Sequence, residues 1–324
     1  MEESTVDVSV VADRIAAVRS EVAKAVVGQR EVIDQVLIAL LCEGHVLLEG
    51  VPGIAKTLIV RALAMAISAD FSRIQFTPDL MPSDVIGTNV FDPSSGRFSL
   101  RKGPVFTHLL LADEINRTPP RTQAALLEAM QERRVTIDGE PHQLAEIFTV
   151  FATQNPIEYE GTYPLPEAQL DRFMFKVVVG YPAFETEIEV LSRHNEGFRA
   201  DRLEDTGIRP ATDVGAVLEL RKIVARVTAQ QSVIDYTARL VRRTRENPNL
   251  LLGASPRASI YLLLASKALA AMNGRSFVIP DDVKELAKPV LRHRLVLRPE
   301  AEIEGVTPDR VVDATLAEVE VPRE

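Results

Sequence analysis

The pattern of apolar and polar positions divides the chain into a first part of alternating strands and helices and a second part of helices. Near the N-terminus, apolar residues recur at helical spacing from Ile15 to Val26, and a second helical run covers residues 30–42. Gly44 is placed to end that second helix. Short apolar runs then alternate with amphipathic ones, which predicts a parallel sheet with helices on both faces. Strands are predicted at 45–49, 73–76, 105–112, 147–153 and 174–179, and helices at 56–68 and 120–132.

Two hairpins interrupt this α/β pattern. The first joins residues 88–91 to 97–100, and the second joins 134–137 to 142–144 through the strong turn signal Asp138-Gly139. Insertions of this kind lie on the surface of a core and do not form part of it, so they are candidates for a functional role.

After residue 181 the strands are expected to stop. Helices are predicted at 185–194, 213–227, 232–246, 256–272 and 281–290. The pattern therefore predicts an α/β domain over residues 1–195, a linker at about 196–210 and an all-helical domain over 211–299. Residues 300–324 are predicted to be a C-terminal tail, with a short packed element before a frayed end.

Composition changes this picture little. The chain is 46% hydrophobic and 26% charged, and no apolar run reaches the roughly 18 residues of a membrane span. The start lacks the pattern of a secretory signal, and the single Cys42 excludes an internal disulfide, so a reducing, cytoplasmic setting is expected. Cys42 falls in an apolar run and is interpreted as a small buried side chain. The five histidines show no metal-ligand spacing.

The net charge of −9 is unevenly distributed. Residues 211–299 hold 15 basic against 7 acidic residues, or +8, while the remainder carries −17. A basic segment can meet nucleic acid, phosphates or an acidic neighbour, and solvated helix faces explain part of it. The overall acidity disfavours wrapping a nucleic-acid backbone.

A glycine-containing turn follows a predicted strand and opens a helix, which is the required context for a phosphate loop. Backbone N–H groups of such a loop and the helix N-terminus bind anionic phosphate. Lys56 would reach the β- and γ-phosphates, and the Thr57 hydroxyl would bind Mg²⁺. Ala55 stands where a glycine is usual; because alanine can adopt most right-handed conformations, we expect the loop to survive. The alternative is a Gly-Pro turn with a chance Lys-Thr. The predicted ATP-binding set is Gly50, Val51, Pro52, Gly53, Ile54, Ala55, Lys56, Thr57 and Leu58.

Two further strands end in polar residues. The apolar run 109–112 ends in Asp113 and Glu114; an Asp at such a strand end holds Mg²⁺, and an adjacent Glu can act as general base on the attacking water. A strand-end cap is the alternative. Asn155 follows the next strand, where an amide would lie beside the γ-phosphate.

These motifs occur in the order found in AAA+ ATPases, and the loop with alanine before lysine resembles that of the MoxR subfamily. The resemblance covers roughly residues 27–299. It rests on Val27-Gly28-Gln29, Glu49–Thr57, Asp113-Glu114-Ile115-Asn116-Arg117, Ala152–Pro156, Leu170-Asp171-Arg172-Phe173 and Gly253-Ala254-Ser255-Pro256-Arg257.

The resemblance implies roles that the residues alone do not show. Asn155 would be the first sensor, and Arg172 the arginine finger that completes the site of the next subunit. Arg257 would be the second sensor, acting in its own subunit or a neighbour. Val27 and Gly28 would lie near the adenine.

The assignment of the arginine finger has two alternatives. An ion pair with Asp171 is the alternative for Arg172, and Arg117 is a further candidate for a contact to the next subunit.

The family further implies a homo-oligomer, in the form of a hexameric ring, that remodels or activates a partner protein in a chaperone-like way. Its partners are often von Willebrand factor A domain proteins. ATP would lie between the α/β domain and the helical lid, and hydrolysis would change the lid angle and move the hairpins. Residues 88–100 match an insertion shared with magnesium chelatase ATPases.

Three alternatives stay open. One is a nucleic-acid motor or loader, disfavoured because the first hairpin carries only Arg97 and because Arg133 and Arg134 are offset by Asp138 and Glu140. Another is a chelatase-type subunit that drives metal insertion by a partner. The third, a nucleotide-gated binding module, is disfavoured because every predicted catalytic side chain is present.

Overall fold

A computed structural model describes residues 7–51, 53–94, 96–155 and 162–322. Its helices are α1 Ser9–Ala23, α2 Arg30–Leu41, α3 Lys56–Ala66, α4 Pro82–Ile86, α5 Pro120–Glu132, α6 Glu167–Leu170, α7 Phe184–Asn195, α8 Val214–Ala225, α9 Gln231–Thr244, α10 Pro256–Met272, α11 Pro280–Leu291, α12 Pro299–Ile303 and α13 Pro308–Glu318. Its strands are β1 Val46–Glu49, β2 Phe71–Gln75, β3 Gly87–Asp92, β4 Arg97–Lys102, β5 Leu109–Asp113, β6 Arg134–Ile137, β7 Glu140–Gln143, β8 Thr149–Gln154, β9 Phe175–Val178, β10 Leu250–Leu252 and β11 Val296–Leu297. Within these ranges no helix is long and apolar enough to cross a membrane.

The central sheet has five parallel strands in the order β2-β5-β8-β1-β9, which confirms the predicted parallel sheet. Its middle strands are apolar on both faces because helices cover both sides: Leu47, Leu111 and Phe151 are fully buried. The carboxyl ends of β1, β5 and β8 meet at one edge, where open α/β sheets bind their ligands.

Both predicted hairpins form. The first pairs β3 with β4 and runs to Lys102, so it carries Arg101 and Lys102 in addition to Arg97. The second pairs β6 with β7. The Asn89 side chain donates a hydrogen bond of 2.8 Å to Asp138, which links the two hairpins.

The end of α2 differs from the prediction. The left-handed residue after this helix is Glu43, at φ 58°, and the N–H of Gly44 donates to the Ala39 carbonyl at 2.8 Å. Gly44 is needed for another reason, because a Cβ there would collide with the Met174 side chain. The glycine therefore allows β9 to approach the end of α2.

The C-terminal region is helical as predicted, with three differences. The short antiparallel pair β10–β11 lies in the region expected to be all-helical. Strands of three and two residues are too short to show a period, and Leu250 and Leu297 are buried. Leu203 in the predicted linker is fully buried. The predicted tail forms α12 and α13, and the buried Val311 and Val312 anchor α13.

Candidate nucleotide-binding site

A cavity of about 740 Å³ lies at the carboxyl edge of the sheet. Its volume is within the usual range of small-molecule sites, roughly 300–1,000 Å³. It is lined by the loop before α2, the turn between β1 and α3, the first half of α3, the ends of β5 and β8, the segment after β9, α7 and the residues after α7. The lining includes Val27, Gly53, Ile54, Ala55, Lys56, Thr57, Leu58, Asp113, Glu114, Thr153, Asn155, Tyr181, Val190 and Leu191.

The turn into α3 contains two left-handed residues, Gly53 at φ 85° and Ala55 at φ 64°. The turn leads into α3 with Ala55 in place, but Ala55 takes the αL conformation and not a right-handed one. Glycine, the usual residue here, adopts this conformation without strain. Lys56 Nζ donates to the Gly50 carbonyl at 2.6 Å. A Cβ on Gly50 would collide with the Ile54 side chain and the Val179 carbonyl, so the turn packs closely against the chain after β9.

The Thr153 hydroxyl contacts both acidic residues at the end of β5, Asp113 through its carboxylate and Glu114 through its backbone N–H. Asp113 Oδ1 accepts a hydrogen bond of 2.5 Å from the Thr153 hydroxyl, and the same hydroxyl oxygen accepts the Glu114 N–H at 2.8 Å. Asp113 Oδ2 accepts from Arg73 at 2.7 Å. Glu114 itself is left-handed, at φ 58°. Backbone in this region is costly for a residue with a Cβ, and such outliers cluster at functional sites.

The Glu114 carboxylate has two partners of its own. Its Oε2 accepts from Gln75 Nε2 at 2.7 Å and lies 3.2 Å from Arg117 Nε. Arg117 therefore contacts the predicted base of its own chain. Neither Arg73 nor Gln75 was identified from the sequence. The signal that could have found them is two long polar side chains at alternating positions of β2, whose Gln75 pairs with Asp113 in the sheet register.

The remaining residues that were predicted to bind the nucleotide differ in whether they line the cavity. Asn155 is buried, with 6% exposure, and lines the cavity next to the end of β8. Val27 lines the cavity on the α7 side. Gly28, at φ 70°, lies outside the lining, and a Cβ there would meet Thr186 of α7 at 2.5 Å. Gly50 and Val51 also lie outside the lining, and Pro52 lies outside the described residues.

The two predicted arginines lie away from the cavity of their own chain. The Asp171 carboxylate pairs with Arg294 at 2.7 Å and with Arg257 at 3.6 Å. Within the described residues it makes no ion pair with Arg172. Arg257 thus contacts Asp171, the chain neighbour of Arg172, and neither arginine is among the described residues that line the cavity.

The lid helices do not line this cavity, whereas the family resemblance implied that ATP would lie between the α/β domain and the lid. Among the described residues, its far wall comes from α7 and from residues 198–200, and nothing after residue 200 lines it. The helices from α8 onward pack elsewhere, against α1, α2 and β9. Arg221 donates to the Leu40 carbonyl at 2.9 Å, and Cys42 to the Leu264 carbonyl at 3.3 Å.

An exposed apolar stripe borders the open side of the cavity. Large apolar patches on a protein surface mark interaction sites. The stripe consists of Tyr181, Phe184, Ile188 and Leu191, which are 76%, 71%, 47% and 69% exposed.

The donors in the cavity fit a nucleotide with Mg²⁺. Lys56 supplies a cation and the first turn of α3 a helix N-terminus, which together suit phosphate groups. The Thr57 hydroxyl and the Asp113 carboxylate supply oxygen ligands of the kind Mg²⁺ prefers.

Comparison with known proteins agrees with this geometry. Residues 45–175 match the family described as ATPase family associated with various cellular activities (AAA), and residues 242–315 match the AAA lid domain. A solved structure from Cytophaga hutchinsonii superposes with a TM-score of 0.89, at 45% identity and with 96% of each chain covered.

Curated relatives extend the match over almost the whole chain. The uncharacterised protein YeaC of Bacillus subtilis is 49% identical, with 92% of each chain covered. Chaperone MoxR1 of Mycobacterium tuberculosis is 45% identical, covering 94% of this chain and 81% of the relative. Protein MoxR of Paracoccus denitrificans is 32% identical, covering 92% and 93%. With its phosphate loop, its paired strand-end acids and these relatives, the chain belongs to the MoxR family of AAA+ ATPases.

Proposed function

We propose that this protein is an Mg²⁺-dependent ATPase that works as a homo-oligomer, with each active site completed by arginines of the next subunit. One observation carries the proposal: Lys56, Thr57, Asp113 and Glu114 line one cavity. The Thr153 hydroxyl there bonds the Asp113 carboxylate and the Glu114 backbone N–H. Sequence positions about 40 to 100 residues apart converge there because their strands end at the same edge of the sheet.

Each side chain has a role set by its chemistry. Thr57 and Asp113 would hold Mg²⁺, which would supply positive charge that neutralises the charge developing on the phosphates. Lys56 binds the β- and γ-phosphates. Glu114 orients the attacking water and accepts its proton, while Asn155 lies beside the reacting group. Gln75 and Arg117 fix the Glu114 carboxylate at the cavity wall.

The arginines support a site shared between subunits. Arg172 and Arg257 lie around Asp171, outside the cavity of their own chain, so we place the action of both on a neighbour. An arginine near the γ-phosphate is worth roughly 10³–10⁵ in rate in related NTPases. The exposed stripe at 181–191 would be covered by that neighbour. A hexameric ring is the family's usual form of such an assembly.

We further propose that turnover drives chaperone-like remodelling or activation of a partner protein. The M. tuberculosis relative is named a chaperone. Because the lid helices pack on α1, α2 and β9 of their own chain, we propose that the conformational change during turnover occurs at the interface between subunits. The two linked hairpins would then contact the partner protein. A protein with a von Willebrand factor A domain is the partner that the family favours.

The test is a Glu114→Gln variant with Glu128→Gln as its matched control. Glu128 is an exposed glutamate on α5, outside the cavity, so the same chemical change there leaves turnover unaltered. Glu114→Gln is expected to bind ATP and to lose about 10²-fold or more in hydrolysis. Turnover should rise more than linearly with protein concentration. Wild-type hydrolysis by Glu114→Gln would overturn the assignment of the base.

A tagged Glu114→Gln protein, held with ATP and Mg²⁺, then serves to isolate the partner by mass spectrometry. A von Willebrand factor A domain protein that is recovered with the variant and lost with ADP supports the remodelling proposal. Recovery without nucleotide dependence contradicts it.

A nucleic-acid motor is the second candidate, favoured by the +8 charge of residues 211–299 and by Arg97, Arg101 and Lys102 on the first hairpin. The structure weakens it because acidic side chains neutralise many of the lid cations. These pairs include Arg292–Asp309, Lys288–Asp313, Arg243–Glu318, Arg275–Asp282 and Arg294–Asp171. Three of these acids belong to α13. Strong binding to DNA that weakens steeply with salt would favour this candidate.

A further inference from the structure

The segment that carries Arg172 is held by the C-terminal helical region through four consecutive backbone carbonyls. One guanidinium group, that of Arg294, donates to three of them: the Asp171 carbonyl at 3.1 Å, the Phe173 carbonyl at 2.6 Å and the Met174 carbonyl at 3.3 Å. The Tyr261 hydroxyl donates to the fourth, the Arg172 carbonyl, at 3.4 Å. Residues 171–174 are therefore fixed on both sides of the Arg172 side chain.

The Asp171 side chain adds a second connection. Its Oδ1 accepts from Arg294 Nε at 2.7 Å, and both of its oxygens accept from the Ser255 hydroxyl at 3.1 Å. Ser255 is the N-cap residue of α10, where a carboxylate is stabilised by the helix dipole. Arg257, in the first turn of the same helix, lies 3.6 Å from Asp171. Arg172 and Arg257 are thus linked through one aspartate.

Arg294 is suited to this task by geometry and by burial. Its side chain is 1% exposed, and its guanidinium lies 5.2 Å from the Tyr261 ring. A buried cation is strongly destabilising unless its donors are satisfied, so each of these contacts stabilises one arrangement of the segment. The planar guanidinium presents several donors in a rigid fork, which the single ammonium of a lysine cannot replace.

We propose that Arg294 is a positioning residue for catalysis between subunits: it fixes Asp171–Met174 so that Arg172 and Arg257 face the neighbouring subunit as a unit. The inference rests on the proposed function for its kinetic consequence, while the positioning itself can be measured without turnover. Arg294 touches neither the nucleotide cavity nor its lining, so its effect on hydrolysis must pass through the arginines.

The first experiment measures hydrogen–deuterium exchange in the full chain. Arg294→Met should speed exchange in peptides covering residues 170–174 by about tenfold or more, and leave peptides of the phosphate loop unchanged. The control is Arg275→Met, because Arg275 also forms a bidentate pair with an aspartate in the same region, Asp282, but lies outside this segment. If Arg294→Met does not fold, Arg294→Lys is used and should show the same change. Unaltered exchange at 170–174 would refute the proposal.

The second experiment is a kinetic cycle. Arg294→Met alone should lower kcat at least ~10-fold with ATP affinity unchanged, since small displacements of a catalytic group have effects of that size. In a background with both Arg172→Ala and Arg257→Ala, the same substitution should have no further effect. Equal losses with and without these two arginines would refute action through them. If the wild type shows no turnover, the proposed function fails, while the exchange measurement still decides the positioning.

Discussion

Replacing Ala55 by glycine should stabilise the protein, although an alanine-to-glycine change in a helical region normally does the opposite. Ala55 is held at φ 64° and ψ 17°, directly before α3. The left-handed conformation costs an L-residue about 1–2 kcal/mol. Glycine relieves that strain, but it also increases the conformational entropy of the unfolded chain, which lowers the free energy of unfolding by about 0.4–1 kcal/mol. The expected net gain in the free energy of unfolding is roughly 0.5–1 kcal/mol.

The matched control is Ala16→Gly on the exposed face of α1, where the backbone is right-handed. There the same change should cost about 1 kcal/mol. The chain has no tryptophan, so unfolding is best followed by circular dichroism at 222 nm or by calorimetry. A gain of this size raises Tm by roughly 1–3 °C.

Opposite signs for the two variants are the decisive result. If Ala55→Gly and Ala16→Gly destabilise the protein equally, Ala55 is right-handed in solution and the explanation given for the turn fails. A third variant, Ala55→Val, should be less stable than the wild type, because a β-branched residue tolerates positive φ poorly.

Three further outcomes follow from the contacts. Thr153→Val keeps the shape of the side chain but removes the hydroxyl that bonds the Asp113 carboxylate and the Glu114 backbone N–H. The kcat should fall about tenfold or more with ATP binding retained, and unchanged turnover would contradict a positioning role for this hydroxyl. Burial lowers the pKa of His45 to about 4, from 6.5. The unfolded chain therefore binds the extra proton between pH 6.5 and 4, and the free energy of unfolding should drop by about 2 kcal/mol between pH 7 and 5, which denaturant titrations at both pH values measure. Cys42 is partly buried, and desolvation raises the pKa of its thiol to about 12. Iodoacetamide at pH 8 should therefore label it slowly in the folded protein and quickly in denaturant; equal rates would contradict this protection.

Much of the fold was predictable because its signals are local. Strand and helix periods gave the parallel sheet and both hairpins, and α5 and α10 begin and end at the predicted residues. The failures were of two kinds. Short strands such as β10 and β11 show no period, and the acidic composition of α13 concealed a helix whose Val311 and Val312 are buried and whose carboxylates pair with lid cations.

The candidate site divides in the same way. The phosphate loop, Asp113, Glu114 and Asn155 were identifiable because each chemical group follows directly from a strand end or a turn. Arg73 and Gln75 were not, since their partners lie on another strand and only the strand order brings them together. The left-handed conformation of Ala55 did not follow from the sequence. The residue type sets only the energetic cost of each backbone conformation, while the path of the chain between β1 and α3 decides which conformation is adopted.

The sequence by itself thus determined the chemistry of this protein: a cation, a hydroxyl and two acids placed where a parallel sheet presents them. Only the tertiary structure decided where the lid and the two arginines lie. The lid packs on α1, α2 and β9 and does not line the cavity. Asp171 and Arg294, 123 residues apart, pair with each other and hold the segment of Arg172 next to Arg257, outside that cavity. Contacts over such separations depend on how whole helices pack against each other, and no local pattern of apolar and polar residues determines that packing.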